Sequence, residues 1–367
     1  MKITKKTTKK RTNLLASLLS VVMVIGLLTG CGSDTNATES KKDSGAVSGT
    51  AAEQSESNEL TKLTVQSLWF AQGQFAGLYV AKEKGFYEEE GLDVDILPGG
   101  TDVTSEDQVA NDVAQIGVAF YSSVLTFQDG GADFVNVFQT FKNSPQYLVA
   151  KADSGIKSGK DLAGKKVGSW FGGREYEFYA LADKNGLDYN KDIEWVQQDY
   201  TLDQFNNGEI DVASAMSYNE YLLLLEQYKE SELNVIDMNK EGVAMLEDCL
   251  FAKREWAEAN HDTLVKFIKA TIRGWKYAAE NPEETGKLVF QIGQSATEEH
   301  QIAMTKKVIE TAVIPEGSTA DQIGELDTER LQKTIDQGVA TGLIKNPIKL
   351  EDSVDATYWN EAVAALK

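Results

Sequence analysis

Aromatic rings, glycines and a carboxylate occur together directly after one predicted strand. The segment "VGSWFGGREYEF" places Trp170 and Phe171 before Gly172 and Gly173, and Glu175 stands where a helix begins. Glycines let the backbone approach a ligand closely, the first N–H groups of a helix can donate to ligand oxygens, and aromatic faces stack on flat rings. The segment therefore indicates contact with a flat polar molecule. The alternative is that both rings only pack between two lobes of the fold and that Glu175 only complements the helix dipole.

Further aromatic, amide and carboxylate groups flank other predicted strands. These are Trp69, Phe70, Gln72 and Phe75 after the first strand, Tyr121 after the third, Tyr218, Asn219 and Glu220 after a later strand, and Glu247 and Asp248 before the strand "CLFA". Open α/β sheets bind ligands at the carboxyl ends of their strands, so we expect these groups to converge. Carboxylates and amides suit ring nitrogens and amino groups, whereas a phosphate or sulfonate favours arginine, and only Arg174 stands near. The set predicts an aromatic nitrogen heterocycle and leaves nitrate open.

The elements that must position these residues form two successive sets. Strand and helix patterns alternate from Leu63 to Ala252, and helical patterns follow. Such alternation predicts α/β lobes with parallel, doubly wound sheets. We expect lobe one to contain residues 60–152 and 247–367, with the C-terminal helices packed on it, and lobe two to contain residues 153–246. The strands "YLVA" and "CLFA" are the predicted crossings, and a hinge of two segments lets lobes close on a ligand.

The N-terminal residues are typical of a segment that directs export and membrane anchoring. A basic head in residues 2–11 precedes an apolar run in residues 14–28, which is short for a membrane span. Residues 1–30 are therefore a predicted signal peptide. Thr-Gly-Cys follows at once and resembles the lipobox of bacterial lipoproteins, which implies that Cys31 carries a lipid. Residues 31–59 are rich in Ser, Thr, Glu and Asp, a composition that predicts a disordered tether.

Composition excludes several classes of protein. The formal net charge is −21 and becomes more negative when the basic head is removed, which argues against a nucleic-acid partner. Of the two cysteines, Cys31 is taken by the predicted anchor, so Cys249 is expected to be a buried apolar residue without a disulfide. The sequence shows no metal-ligand cluster, nucleophile–base pair or phosphate-binding loop. We therefore expect neither a metal nor a cofactor, and no enzyme activity.

Two longer stretches resemble a known family. They are "LWFAQGQFAGLYVAKEKGFYEEEGLDVDILPGG" and "GIKSGKDLAGKKVGSWFGG". Both are similar to the solute-binding proteins of ABC transporters, and within them to the SsuA/THI5-like group that contains binders of thiamine-pyrimidine precursors, riboflavin, alkanesulfonates and nitrate. The resemblance is good over residues 63–252 and loose beyond. It implies a two-lobed periplasmic-binding-protein fold of type II.

The resemblance also implies a function. The expected protein is a lipid-anchored monomer on the extracytoplasmic face of the cell membrane, which captures a hydroxymethyl- or formylamino-pyrimidine or riboflavin. It would deliver this ligand to the permease and ATPase subunits of an ABC importer.

Three alternatives stay open. One is a binder of nitrate or an alkanesulfonate. Another is a sensory protein that reports ligand to a receptor. The third is an enzyme, because a fungal relative makes the thiamine pyrimidine from its own histidine with iron and a cysteine-rich motif. This chain lacks that motif, and its two histidines, His261 and His300, are expected at the surface or at helix caps.

We predict that Cys31→Ala releases the protein from the membrane fraction and leaves ligand affinity unchanged. The tether separates the anchor from the folded lobes, so the lipid has no path to the ligand. Membrane fractionation and a binding titration on the same preparation check both parts. A loss of affinity in the purified variant would contradict this layout.

Overall fold

The alternating pattern forms two mixed sheets. The protein is represented by a computed structural model that describes residues 59–367. The predicted signal peptide, Cys31 and nearly all of the tether lie outside the described residues. Within residues 59–367 ten strands pair into two five-stranded sheets, and no helix of this part is long and apolar enough to cross a membrane.

The first sheet has the strand order β2–β1–β3–β10–β4. Its strands are β1 (Thr61–Gln66), β2 (Leu92–Leu97), β3 (Ile116–Phe120), β4 (Phe134–Gln139) and β10 (Asp248–Lys253). The pairs β1–β2 and β1–β3 are parallel, whereas β10 runs antiparallel to both β3 and β4. Strands β3 and β4 are buried along their whole length, as expected for strands covered on both faces.

The second sheet has the strand order β7–β6–β8–β5–β9. Its strands are β5 (Gln146–Lys151), β6 (Lys166–Ser169), β7 (Glu194–Gln197), β8 (Val212–Met216) and β9 (Leu233–Asp237). Strand β5 is antiparallel to β8 and β9, and the remaining pairs, β6–β7 and β6–β8, are parallel. The prediction of wholly parallel sheets is therefore wrong in one strand of each sheet. Both exceptions, β5 and β10, directly follow a change of lobe, and each runs opposite to the strands that it joins.

The placement of residues 146–152 in lobe one is wrong. Strand β5 pairs with β8 and β9 of the second sheet, with Leu148 opposite Ser214 and Ile236. The apolar pattern of "YLVA" predicts a buried strand but does not indicate which sheet the strand joins. The sequence alone therefore could not assign this strand to a lobe. The crossing segments are residues 140–145, between β4 and β5, and residues 238–247, between β9 and β10.

Helices cover both sheets. In chain order they are α1 (Ala76–Glu83), α2 (Phe86–Glu89), α3 (Ser105–Ala110), α4 (Tyr121–Asp129), α5 (Tyr176–Lys184), α6 (Asp203–Asn206), α7 (Glu220–Gln227), α8 (Arg254–Ala259), α9 (His261–Glu280), α10 (Pro282–Gly293), α11 (Glu298–Val308), α12 (Thr328–Thr341), α13 (Leu350–Ser353) and α14 (Thr357–Ala364). Helix α9 packs on α1 and α2, and α14 packs on α9. The C-terminal helices therefore lie on the first sheet's lobe.

Two glycines let α1 and α9 approach closely. A Cβ on Gly274 would lie 2.1 Å from the carbonyl oxygen of Gly77, and a Cβ on Gly77 would lie 2.3 Å from the Trp275 ring. Trp275 itself is fully buried in the core of lobe one. Neither position can accept a larger residue without separating the two helices.

We predict that Gly274→Ala lowers the free energy of unfolding by about 1–3 kcal/mol, because the added methyl group overpacks the α1–α9 contact. Gly338→Ala in α12 is the matched control. Its new Cβ would meet Ile344 at an ordinary 3.4 Å, so the better helix former should stabilise the protein by roughly 0.5–1 kcal/mol. Urea unfolding of both variants measures the difference, and equal effects would contradict the close approach.

Candidate functional site

A cavity of about 180 Å³ lies between the two lobes. Both lobes contribute to its wall. Lobe one provides Leu68, Trp69, Gln72, Gln74 and Phe120, and lobe two provides Trp170, Arg174, Tyr200, Met216, Tyr218, Asn219 and Glu220. Most of these residues lie in or just beyond the carboxyl ends of β1, β3, β6 and β8. This is the edge at which open α/β sheets bind ligands.

Contacts between side chains hold the lobes together across the cavity. The rings of Trp69 and Tyr200 lie with centroids 5.1 Å apart, and the guanidinium of Arg174 lies 5.1 Å from the centroid of the Phe120 ring. Each contact joins one residue of lobe one to one residue of lobe two. The described arrangement is therefore a closed one.

A chain of amides forms the lobe-one side of the site. The Gln72 side-chain amide donates to Gln74 Oε1 at 2.6 Å, and Gln74 Nε2 donates to the two carboxylate oxygens of Asp248 at 2.9 and 3.1 Å. Asp248 is fully buried, and this burial raises its pKa to about 7, against the opposing effects of Gln74 and Arg174. Asp248 therefore lies behind the cavity wall and orients Gln74, which lines it.

A carboxyl group and a hydroxyl form the lobe-two side. Glu220 accepts from Met216 N at 2.9 Å and from the Asn219 side-chain amide at 2.6 Å. Burial raises the pKa of Glu220, although these hydrogen bonds and Arg174 oppose the shift. Burial also raises the pKa of Tyr218 well above its usual range, so its hydroxyl stays neutral. Glu220 and Tyr218 can thus donate to or accept from a polar ligand.

Arg174 is the one cation among the cavity-lining residues. Within the described part of the chain no carboxylate lies within 4.0 Å of its guanidinium. Its charge still lowers the pKa values of Glu220, Glu247 and Asp248 from the positions that burial alone would give. The guanidinium is therefore free to donate hydrogen bonds to a carbonyl or anionic oxygen of a ligand.

Six predicted site residues lie in the cavity wall. They are Trp69, Gln72, Trp170, Tyr218, Asn219 and Glu220. Trp170 is only 4% exposed, and its indole N–H donates to the Asp199 carbonyl of lobe two at 2.9 Å. Its ring also belongs to the apolar cluster that contains the lobe-one core, so it packs between the lobes. Trp170 thus both lines the cavity, as expected of a ligand contact, and packs against the opposite lobe, as the alternative predicted.

The turn that follows Trp170 lies outside the cavity wall. Phe171 is exposed, and Gly172 and Gly173 adopt φ values of +98° and +112°, which favour glycine. Glu175 accepts from the Gly173 N–H at 2.9 Å. The glycines and Glu175 therefore shape the turn that presents Trp170 and Arg174, and the structure does not place them against the cavity.

Five other predicted residues are also not brought to the wall. Phe70 is exposed, Phe75 is buried in the lobe-one core, and Tyr121 is fully buried with its hydroxyl bonded to Ser353. Glu247 and Asp248 are buried behind the cavity.

Both carboxylate oxygens of Glu247 lack a hydrogen-bond partner among the described residues. Burial, Glu177 and Asp248 raise the pKa of Glu247 well above its usual range.

Six lining residues were not among the predicted site residues, namely Leu68, Gln74, Phe120, Arg174, Tyr200 and Met216. Of these, Arg174 was noted only as the one arginine near the rim. Leu68, Phe120 and Met216 are adjacent to predicted residues, and counting one position on each side would have found them. Gln74 and Arg174 lie in the turns before helices and could have been found in the same way. Tyr200 lies in a loop without periodicity, and no local signal marks it.

Comparison with known proteins identifies the family. Residues 72–285 match the NMT1/THI5-like family, and the chain belongs to it. YtlA of Bacillus subtilis is 30% identical over 216 residues, which are 55% of this chain and 62% of that protein. The riboflavin-binding protein RibY of Chloroflexus aurantiacus is 24% identical over 93% of this chain and 96% of its own length. The formylaminopyrimidine-binding protein of Halalkalibacterium halodurans is 22% identical over 82% of this chain and 91% of its own length.

A further relative and a solved structure are also similar to this chain. A 4-amino-5-hydroxymethyl-2-methylpyrimidine phosphate synthase of Legionella pneumophila is 25% identical over 63% of this chain and 73% of that protein. The periplasmic nitrate-binding protein NrtA of Synechocystis PCC 6803 superposes with a TM-score of 0.64 at 16% identity, covering 84% and 90% of the two chains. The predicted two-lobed periplasmic-binding-protein fold is therefore confirmed.

We predict that Trp69→Ala weakens binding of a hydroxymethylpyrimidine probe roughly 5- to 150-fold, since losing a stacking face costs about 1–3 kcal/mol. Phe70→Ala is the matched control, because Phe70 is the next residue but is 48% exposed and outside the cavity wall. Titration calorimetry on both variants measures the difference. Equal losses would show that Trp69 does not contact the ligand.

Proposed function

We propose that this chain is the extracytoplasmic binding protein of an ABC importer and that its cavity takes a single-ring aromatic nitrogen heterocycle, an aminopyrimidine. One observation carries the proposal. The indoles of Trp69 and Trp170 come from opposite lobes and line one cavity, in whose wall Gln72, Tyr218 and Glu220 offer neutral or acidic hydrogen-bonding groups. Rings stack on indoles, and amino groups and ring nitrogens pair with carboxyl and amide groups.

The size of the cavity favours a small ligand. Pockets for drug-sized molecules enclose roughly 300–1,000 Å³, whereas this cavity encloses about 180 Å³. A substituted pyrimidine fits such a volume better than the three fused rings and ribityl chain of riboflavin. The name of the formylaminopyrimidine-binding relative supports the same ligand class.

Arg174 favours a second candidate ligand, a small anion such as nitrate or an alkanesulfonate. Its guanidinium lines the cavity and would suit such an anion. Glu220 lines the same cavity and would repel an anion when ionised, and Asp248 stands behind it. A carbonyl or formyl oxygen on a heterocycle uses Arg174 without that repulsion. This balance supports the heterocycle.

The proposed role is binding without catalysis. Relatives named as binding proteins support it, and the relative named as a synthase makes enzyme activity the alternative to test. Within residues 59–367 no group of three or more His, Cys, Asp or Glu side chains is arranged to hold a metal ion. The proposal also includes the lipid anchor on Cys31, a monomeric state and delivery of the ligand to permease and ATPase subunits.

A thermal-shift screen tests the proposal. The panel contains 4-amino-5-hydroxymethyl-2-methylpyrimidine, a formylaminopyrimidine, riboflavin, nitrate and an alkanesulfonate. A pyrimidine at 100 times its Kd should stabilise the protein by about 2.7 kcal/mol. A shift with only nitrate or the sulfonate, abolished in Arg174→Gln, would replace the heterocycle by an anion. Mass spectrometry of the recovered ligand should find it unaltered, and a converted product would contradict the binding role.

A further inference from the structure

The buried histidine of α11 faces the opposite lobe. Helix α11 is fixed to lobe one, since Gln301 accepts from the Gly73 backbone N–H at 2.8 Å. His300 on the same helix is only 4% exposed, so a surface position is wrong, whereas its backbone N–H donates to the capping Thr297 hydroxyl at 3.1 Å. Its Nε2 lies 2.9 Å from the side-chain oxygen of Asn219, the residue before α7 in lobe two. This contact joins the lobes beside the ligand cavity.

The hydrogen bonds around Asn219 define the state of the ring. The Asn219 amide nitrogen donates to Glu220 Oε1 at 2.6 Å, so its carbonyl oxygen points to His300. That oxygen can only accept, and therefore Nε2 of His300 carries a proton. Asn219 and Glu220 both line the cavity. The imidazole thus orients one cavity-lining amide, which in turn holds a cavity-lining carboxyl group.

The other ring nitrogen has no hydrogen-bond partner. Nδ1 of His300 is buried and unpaired among the described residues. The nearest acidic group is Glu226 on α7, whose Oε1 lies 3.9 Å away. A proton added to Nδ1 would be buried without a hydrogen bond at normal distance, which is unfavourable.

We propose that His300 in its neutral form latches the two lobes and positions Asn219 across the cavity, and that protonation of the ring opens this latch. The positioning of Asn219 towards a ligand rests on the function proposed above. The latch itself does not, because it is a contact between the lobes. His300 is thus a positioning residue that makes closure depend on pH.

The surroundings of the ring determine in which direction closure changes with pH. Burial lowers the pKa of His300, and the charge of Glu226 opposes this shift. Among the described residues, no charged group of α10 or of the Gly73–Phe75 segment shifts this pKa. The closed form therefore binds the proton less well than the open form, whose solvated imidazole has a pKa of about 6.5. Closure is weakened as the pH falls below about 6.5. Near pH 5.5 the open form is about ten-to-one protonated, so the loss of affinity reaches at most about tenfold.

Calorimetry with 4-amino-5-hydroxymethyl-2-methylpyrimidine at about pH 8 and pH 5.5 tests the latch on the full chain. His300→Gln keeps a donor near the Nε2 position but cannot take up a proton. His261→Gln is the control, because His261 is the only other histidine and pairs with Glu361 away from the cavity. Buried acids such as Asp248 titrate in all variants alike. We expect the wild type and His261→Gln to lose up to about tenfold more affinity at low pH than His300→Gln.

His300→Ala separates positioning from proton uptake. Without the donor to Asn219 we expect a loss of several-fold to about tenfold already near pH 8, larger than the loss in His300→Gln. The same pH profile in wild type and His300→Gln, or a stronger wild-type affinity at low pH, would overturn the proposal.

Nitrogen-15 NMR of the histidine rings provides a test that does not depend on the pyrimidine, because it compares the free full chain with the chain saturated by whichever compound of the thermal-shift panel raises its melting temperature. Assignment uses His261→Gln. In the bound, closed chain we expect His300 to show the Nε2–H tautomer and to titrate at a lower pH than in the free chain. The same mixture of tautomers and the same titration in both states would overturn the latch, whereas failure of the pyrimidine alone to bind would overturn only the proposed function.

Discussion

The chain passes between the lobes twice, and one buried carboxyl group fastens both passages. Glu177 on α5 of lobe two accepts from the Ser144 hydroxyl at 2.8 Å in the first crossing segment and from the Met245 backbone N–H in the second. Burial raises the pKa of Glu177 to about 8, so the group is largely neutral near pH 7. The two crossings are thereby held side by side between the lobes that form the cavity.

Helix α12 contacts the same two crossings. Arg330 donates to the Lys142 carbonyl and to Asn143 Oδ1, Thr334 accepts from the Leu246 N–H at 3.0 Å, and Gln337 donates to the Val243 carbonyl. These positions recur at i, i+4 and i+7, so they share one face of the helix. The C-terminal region is therefore part of the hinge and not only a cover for the first sheet.

Burial of three carboxyl groups that form no salt bridge among the described residues determines the electrostatics of the site. Asp248, Glu247 and Glu220 lie near one arginine, and burial favours the neutral form of each. Glu220, the one of the three that lines the cavity, can accept hydrogen bonds from amino groups when it is ionised and can also donate to ring nitrogens when it is protonated. The negative formal charge of the sequence is thus a poor guide to the charge inside the cavity.

Local pattern predicted the strands, the two lobes and the rim residues that end a strand. It misplaced β5, because an apolar strand does not reveal which sheet it joins. It also assigned Tyr121 to the site, whereas the helix that begins at this residue turns the ring into the core, and Phe120, the last strand residue, lines the cavity. Tyr200 and His300 reach the cleft through tertiary packing alone. Long-range contacts of this kind leave no periodic trace in a sequence.

The central claim is that the lobes close on the ligand around the two crossing segments. Small-angle X-ray scattering of the full chain, with and without a pyrimidine that raises its melting temperature, tests it most directly. The account predicts a smaller radius of gyration with ligand bound, because ligand contacts from both lobes favour the closed form. An identical radius in both states would contradict closure and indicate a rigid, preformed site.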